Sequence, residues 1–223
     1  MKSPQLHSGN PVEVDRYSAA TRANHWLTAV CFVALTLSGL AFYDPRLFFL
    51  TTLFGGGSLA RALHPFVGVV LVVSFLFLLL RFWRANLWVK DDSIWVNQFP
   101  DVIAGHDDRL PEFEKFNAGQ KLVFWSMAIA IAILFVSGLL IWDEYFYKLS
   151  SIPTKRVAVL VHAATATFAI VVLIVHIYAA IWVKGSFGAM LEGRVTAGWA
   201  FRHHRKWLKR LAQGGVDEDM RPS

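Results

Sequence analysis

The sequence predicts an all-α integral membrane protein with four transmembrane helices, and two observations support that prediction. The chain is 55% hydrophobic, and it contains four long stretches that lack Asp, Glu, Lys and Arg. A helix needs about 20 apolar residues to cross a bilayer, and each stretch meets that requirement. The stretches cover residues 23–43, 62–80, 122–142 and 157–183. We interpret the four spans as one bundle and therefore expect a single membrane domain over residues 1–223.

Basic residues predict the orientation of the spans. Seventeen of the 22 lysines and arginines lie before the first span, between the second and third spans, or after the fourth. Loops rich in Lys and Arg stay in the cytoplasm, so we expect both termini, the loop 85–120 and the tail 184–223 to be cytoplasmic. The net charge of +6 is then explained by basic flanks facing anionic lipid. It does not require a nucleic-acid partner.

The segments around the first span have simple interpretations. Residues 1–17 are polar and should be loosely ordered until a partner binds. Ser18 is expected to cap a helix that runs through His25 into the first span. This span is too long for a signal peptide and lacks a clear cleavage site. Its single cysteine, Cys31, is expected to be an inert core residue.

The connecting segments differ in character. The apolar outer loop 44–61 has a glycine break at residues 55–57 and should form an interfacial segment. Pro65 either begins a helix or kinks one that began near residue 58. The loop 85–120 is long and mixed in charge, as functional or docked loops are. Residues 198–211 favour an amphipathic segment lying among lipid headgroups, with a specific site as the alternative.

Four histidines lie in or at the ends of the spans, namely His25, His64, His162 and His176. Ionisable side chains are costly in lipid and usually functional there, and imidazole is a common axial ligand of haem iron. His162 and His176 are fourteen residues apart. In a helix this spacing returns to within roughly 40° of the same face and separates the rings by about 21 Å.

The direction of each span then predicts two pairs of histidines. The outer pair is His64 with His162, and the inner pair is His25 with His176. Each pair supplies one imidazole from each of two helices, which predicts two haems. Gly39 and Gly68 are expected beside the outer layer, where glycine leaves room for a flat macrocycle or for a close helix contact.

Other charged and polar residues near these layers have two interpretations. Four basic side chains either pair with haem propionates or serve as interfacial anchors: Arg22, Arg61, Lys155 and Arg156. The remaining histidines lie outside the spans and should be solvated: His7, His106, His203 and His204.

Two functions without redox chemistry remain as alternatives. An ion or proton transporter would use the histidines directly, but such sites normally recruit intramembrane carboxylates, and no span contains Asp or Glu. A passive membrane anchor would not require paired histidines. A single histidine is also able to hydrogen-bond a neighbouring helix instead of binding iron.

Short strings along the chain resemble one family. They are Arg22-x-x-His25-Trp26, Ser38-Gly39-Leu40, His64-Pro65-x-x-Gly68, Asn117-Ala118-Gly119-Gln120-Lys121, Ser137-Gly138, the His162/His176 pair, Glu192-Gly193-Arg194-Val195-Thr196, Trp199-Ala200 and His203-His204. Together they resemble the cytochrome b (gamma) subunit of membrane-bound formate dehydrogenase. The runner-up is the cytochrome b subunit of a nickel–iron hydrogenase or a related quinone-linked oxidoreductase, which the histidine layout does not exclude.

The resemblance implies a four-helix, di-haem subunit of the bacterial inner membrane that holds two b haems on His25, His64, His162 and His176. Such a subunit receives electrons from an iron–sulfur subunit, which is fed by a molybdenum- or tungsten-pterin subunit that oxidises formate. No formate-oxidising site is then expected in this chain. The electrons pass to a quinone near the cytoplasmic side.

The resemblance also implies a quinone site that matches Asn117 and Gly119. Asn117 is able to donate to a quinone carbonyl, and Gly119 allows close backbone approach. The residues alone favour another interpretation, in which Asn117 is the N-cap of the third span. We expect that both roles coexist only if the side chain serves one partner at a time.

Overall fold

The fold is dominated by four helices that are long and apolar enough to cross a membrane. A computed structural model describes residues 11–104, 106, 109–215 and 217, and the backbone of residues 6–7. In chain order its elements are β1 (Leu6–His7), β2 (Glu13–Asp15), α1 (Ala19–Tyr43), a 3-10 helix (Pro45–Phe54), α2 (Gly57–Phe82), α3 (Lys90–Asn97), α4 (Phe99–Ala104), α5 (Ala118–Ile141), α6 (Asp143–Phe146), α7 (Ile152–Trp182), α8 (Ser186–Glu192), β3 (Arg194–Thr196), α9 (Ala197–His203) and α10 (Arg205–Ala212). The four predicted spans are confirmed as α1, α2, α5 and α7.

Each long helix begins before its apolar stretch. Arg22, Arg61, Lys121 and Arg156 therefore lie in the first two turns of α1, α2, α5 and α7. The Ser18 hydroxyl accepts a hydrogen bond from the backbone N–H of Thr21 at 3.2 Å, which confirms the predicted cap. Pro65 lies inside α2, so the prediction of a helix that begins near residue 58 is confirmed.

The chain divides into two compact units, and both contain parts of all four long helices. The helical unit comprises Asn24–Leu78 and Ser126–Val175, and the terminal unit comprises Met1–Ala23, Leu79–Trp125 and His176–Ser223. The expectation of a single domain remains a prediction.

The helical unit has an apolar core to which α1, α2, α5 and α7 all contribute. Its buried members are Cys31, Phe32, Leu71, Ala130, Ile131 and Ala169. Cys31 is therefore a core residue, as expected. Polar groups also join α1 to α2 in this unit, because the Asn24 amide donates to the Ser74 carbonyl at 2.9 Å and the Thr28 and Ser74 hydroxyls lie 2.6 Å apart.

The terminal unit contains a small antiparallel sheet in the order β1-β2-β3, with Val14 opposite Val195. Val14, Val195 and Trp207 form part of its buried core. The expectation that residues 1–17 are loosely ordered is wrong for β1 and β2, because their backbones pair in this sheet. The apolar side chains of Val14 and Val195 supply the burial that favours pairing.

The outer loop forms the 3-10 helix, which ends at Gly55 with a φ of 81°. The glycine break therefore allows the left-handed turn that precedes α2. The loop 85–120 contains α3 and α4, and its Trp95 and Phe113 form a second small core in the terminal unit with Ala118.

Candidate functional site

The outer pair of histidines lies together in the helical unit. His64 on α2 and His162 on α7 face each other with ring centres 6.4 Å apart and ring planes inclined at 58°. Both side chains are half-buried. Phe42 packs against His64 with its ring edge, at 5.6 Å between centres. The structure thus brings together the two residues that the direction of the spans predicted as partners.

Each ring of the outer pair makes a hydrogen bond through Nδ1 to a serine of the preceding long helix. The Ser38 hydroxyl on α1 lies 2.7 Å from His64 Nδ1. The Ser137 hydroxyl on α5 lies 3.0 Å from His162 Nδ1. Because Nδ1 is engaged in both rings, Nε2 is the nitrogen that each ring retains for a metal.

The spacing of the two rings fits a single metal between them. Two metal–nitrogen bonds of about 2 Å, with about 1 Å from each nitrogen to its ring centre, place the centres about 6 Å apart. The distance of 6.4 Å agrees with that arrangement. Two neutral imidazoles also form a usual axial ligand set for haem iron. The residues present therefore fit a haem held by His64 and His162.

Glycines flank this pair. A Cβ atom on Gly39 would lie 3.7 Å from His64 Cε1, and one on Gly138 would lie 3.5 Å from His162 Cε1. These distances confirm that Gly39 belongs to the outer layer. A Cβ atom on Gly68 would meet no atom within 4 Å in the described part of the chain.

The inner pair is not tested by these contacts. His25 lies on α1 in the helical unit, where its ring meets Trp26 edge-on with centres 5.6 Å apart. His176 lies on α7 in the terminal unit, and its residue is exposed. The pairing of His25 with His176 remains a prediction from helix spacing.

Asn117 caps α5. Its Oδ1 atom accepts the backbone N–H of Gln120, and the Gln120 side chain accepts the backbone N–H of Asn117, both at 3.0 Å. These reciprocal bonds form a capping box. The cap uses only the oxygen, and Nδ2 makes no hydrogen bond to any described residue. The expectation that Asn117 serves one partner at a time stays a prediction, since the cap uses Oδ1 and a quinone would be bound through Nδ2.

Gly119 lies against the indole of Trp95, a contact that no sequence pattern predicts. A Cβ atom on Gly119 would lie 3.1 Å from Cη2 of Trp95, which is closer than ordinary contact. A side chain at position 119 would therefore crowd Trp95, which is buried, and this contact favours glycine at that position. No periodicity or motif in the loop indicated this contact, because it joins residues that are distant in sequence.

A buried ion pair lies in the same unit. The Lys121 ammonium donates to Asp92 Oδ2 at 2.7 Å and to the Leu87 carbonyl at 3.1 Å. Asp92 is 0% exposed and Lys121 is 4% exposed. Asp92 also accepts the backbone N–H of Val89 at 2.7 Å and so stabilises the start of α3. The string Asn117–Lys121 contained the lysine, but nothing in the sequence indicated its partner.

Arg16 forms a second buried polar cluster, with His204. The guanidinium is 1% exposed and donates to the Lys115 carbonyl at 2.7 Å. Its centre lies 5.0 Å from the ring centres of both Trp199 and Trp207. Because arginine cannot accept a hydrogen bond, Nε2 of His204 accepts from Arg16 at 3.1 Å and Nδ1 donates to the Glu114 carbonyl at 2.7 Å.

The expectation that His204 is solvated is therefore wrong. Burial, followed by the positive charge of Arg16, lowers the pKa of His204 well below its ordinary value. His106 is exposed as expected, whereas His203 is half-buried. The side chain of His7 lies outside the described residues.

The expectation that residues 198–211 lie among lipid headgroups is also wrong for the face that carries Trp207. Trp207 is fully buried against Val14 and Val195.

Three of the four basic residues near the histidine layers have protein partners. Arg22 donates to the Tyr17 carbonyl at 2.9 Å. Lys155 forms an ion pair with Asp143, and the Arg61 guanidinium lies 5.9 Å from the centre of the Phe42 ring. These contacts favour anchoring over propionate binding for Arg22 and Lys155.

Comparisons with known proteins identify the family of the chain. Residues 16–193 match the family described as prokaryotic cytochrome b561. The chain is 43% identical over 196 residues to the formate dehydrogenase cytochrome b556(fdo) subunit of Escherichia coli K12, covering 88% of this chain and 92% of the relative. It is 38% identical over 198 residues to the nitrate-inducible cytochrome b556(Fdn) subunit of the same strain, covering 89% and 91%. It is 35% identical over 216 residues to the formate dehydrogenase cytochrome b556 subunit of Haemophilus influenzae, covering 97% and 91%.

Proposed function

The chain belongs to the prokaryotic cytochrome b561 family and, within it, to the cytochrome b subunits of formate dehydrogenase, and we propose that it transfers electrons from an iron–sulfur subunit to a membrane quinone. His64 and His162 would hold one haem b, and His25 and His176 would hold a second. The observation that carries the proposal is the facing of His64 and His162 at 6.4 Å between ring centres.

The protein's contribution at this site is to hold and shield the ligands. When bound, haem b supplies a one-electron carrier, and its potential depends on ligand identity and burial. The chain places a serine hydroxyl of α1 or α5 within hydrogen-bond distance of Nδ1 of each outer imidazole. No described carboxylate lies in α1, α2, α5 or α7, which makes a proton or ion carrier a poorer explanation of the histidines.

The proposed complex contains the partners that such a subunit requires. An iron–sulfur subunit supplies electrons, and a molybdenum- or tungsten-pterin subunit oxidises formate outside this chain. The names of the three relatives favour this complex over the hydrogenase alternative. We further propose that the protein lies in the bacterial inner membrane with both termini in the cytoplasm, because basic residues concentrate in the corresponding segments.

Quinone reduction is proposed beside Asn117 and Gly119. Asn117 Oδ1 is held by the cap of α5, so the amide plane is fixed and Nδ2 is available to donate to a quinone carbonyl. Protons for the quinol enter from the cytoplasm.

Haem content tests the ligand assignment. His64→Ala and His162→Ala should each remove the same haem and leave most of the other, because both imidazoles serve one iron. The measurement is the reduced-minus-oxidised absorption spectrum together with extracted haem per protein. His106→Ala, at an exposed site, is the matched control. Full haem content in both ligand variants would refute the outer site.

Asn117 requires a variant that separates the cap from the donor. Asn117→Asp keeps an oxygen for the Gln120 N–H and removes the amide donor. We expect it to retain both haems and thermal stability but to slow quinone reduction, whereas Asn117→Ala should impair stability as well. Normal turnover and normal binding of a quinone-site inhibitor in Asn117→Asp would show that Asn117 acts only as the cap of α5 and does not bind the quinone.

A further inference from the structure

The two serines that contact the outer histidines share a detailed hydrogen-bond pattern. The Ser38 hydroxyl donates to the Ala34 carbonyl at 2.8 Å, and the Ser137 hydroxyl donates to the Ile133 carbonyl at 2.7 Å. In both cases the acceptor is the carbonyl four residues earlier in the same helix. Each hydroxyl also lies near the carbonyl three residues earlier, at 3.3 Å for Ser38 and 3.2 Å for Ser137. Two separate helices thus use the serine in the same way.

This pattern determines which ring nitrogen carries the proton. A hydroxyl has one proton to donate, and a carbonyl oxygen only accepts. When that proton is directed to the helix carbonyl, the hydroxyl oxygen must accept a hydrogen bond from Nδ1–H of the histidine. The neutral imidazole then carries its proton on Nδ1 and presents the lone pair of Nε2.

We propose that Ser38 and Ser137 are positioning residues that hold His64 and His162 in the Nδ1–H tautomer, so that both Nε2 atoms are directed to the same iron. The inference rests on the proposed haem site. Both serines are buried, at 2% and 4% exposure. Partners of this kind orient the ring and increase its basicity as a ligand.

The pattern also predicts a direction for the redox potential. A hydrogen bond that withdraws the Nδ1 proton raises the electron density at Nε2, and an electron-rich ligand stabilises ferric iron more than ferrous iron. Loss of the serine should therefore raise the midpoint potential of the outer haem. A tenfold loss of affinity for ferric haem, with the affinity for ferrous haem unchanged, raises the midpoint potential by about 59 mV.

The test compares four variants in the purified holoprotein. Ser38→Ala and Ser137→Ala remove the hydroxyl, whereas Ser38→Thr retains one. Thr167→Ala is the control, because Thr167 makes the same bond to the carbonyl four residues earlier, at 2.9 Å, and makes no hydrogen bond to a histidine in the described part of the chain, although unlike the serines it is exposed. The measurements are the midpoint potential of each haem, the electron paramagnetic resonance spectrum of each haem in the ferric state, and the affinity for added haem.

We expect both alanine variants to raise the potential of the outer haem and to weaken its binding about 10–100-fold. The inner haem should be unchanged, and Ser38→Thr should behave as wild type. Unchanged potential and ferric spectrum of the outer haem in both alanine variants would overturn the inference, and so would equal shifts in Thr167→Ala. Wild-type haem content in His64→Ala and His162→Ala would instead refute the proposed function. Circular dichroism verifies folding, and a variant that unfolds is replaced by Ser→Cys at the same position, which should shift the potential in the same direction.

Discussion

Removing one member of the ion pair between Lys121 and Asp92 should lower the free energy of unfolding more than removing both. The Asp92 carboxylate is 0% exposed, and Lys121→Met leaves it only the Val89 N–H as a hydrogen-bond donor among the described residues. Breaking a buried pair on one side costs about 3–5 kcal/mol, because a buried charge is left without compensation. For a chain of this size that cost corresponds to a fall in Tm of about 6–20 °C.

A neighbouring ion pair offers a matched control. Lys206 pairs with Asp91, the residue before Asp92, but the two side chains are 44% and 29% exposed. Pairs in contact with solvent contribute about 0–1 kcal/mol. Lys206→Met makes the same chemical change as Lys121→Met and should therefore shift Tm by no more than a few degrees.

The double variant separates the charge from the packing. Lys121→Met with Asp92→Leu removes both charges, and replacing a buried pair by apolar residues is often neutral or stabilising. The remaining loss should be about 1 kcal/mol, because Asp92 no longer accepts the Val89 N–H at the start of α3.

The assay is thermal unfolding in detergent, followed by circular dichroism. If Lys121→Met and Lys206→Met shift Tm equally, or if the double variant is less stable than Lys121→Met, the reasoning from burial is wrong.

Three further predictions concern the terminal unit and the start of α1. His204 is neutral in the folded state because its pKa is lowered. The folded state should therefore lose stability as the pH falls below about 6.5, where the histidine of the unfolded chain takes up a proton. His204→Asn should reduce this pH dependence when unfolding is measured between pH 7.5 and 5.5. Gly193→Ala should cost about 1–3 kcal/mol from its φ of 86° alone, and more because the new Cβ would lie 2.7 Å from the Tyr17 carbonyl; a Tm equal to wild type would contradict this. Ser18→Ala should cost about 1 kcal/mol through loss of the helix cap, and Ser18→Asp should restore the wild-type Tm.

The sequence predicts the four spans and the outer histidine pair because both follow from local rules. Uncharged length predicts the helices, and fourteen-residue spacing with alternating span direction predicts that His64 meets His162. The capping role of Asn117 is likewise predictable from the sequence, since Asn followed by Gln three residues later is a local capping pattern.

The terminal unit was largely beyond such rules. Arg16 and His204 are separated by 188 residues, and their types usually indicate exposure. Only tertiary packing against Trp199 and Trp207 makes their burial favourable. Asp92 was equally unpredictable, because an acid in a mixed-charge loop gives no sign of the lysine on α5 that neutralises it.

The serine contacts divide the helical unit into two hairpins that are each complete. Ser38 on α1 hydrogen-bonds the histidine of α2, and Ser137 on α5 hydrogen-bonds the histidine of α7, so each ring contacts the long helix that immediately precedes its own. Neither hairpin needs the other to present its imidazole. What joins the two hairpins in the helical unit is the apolar core to which all four long helices contribute.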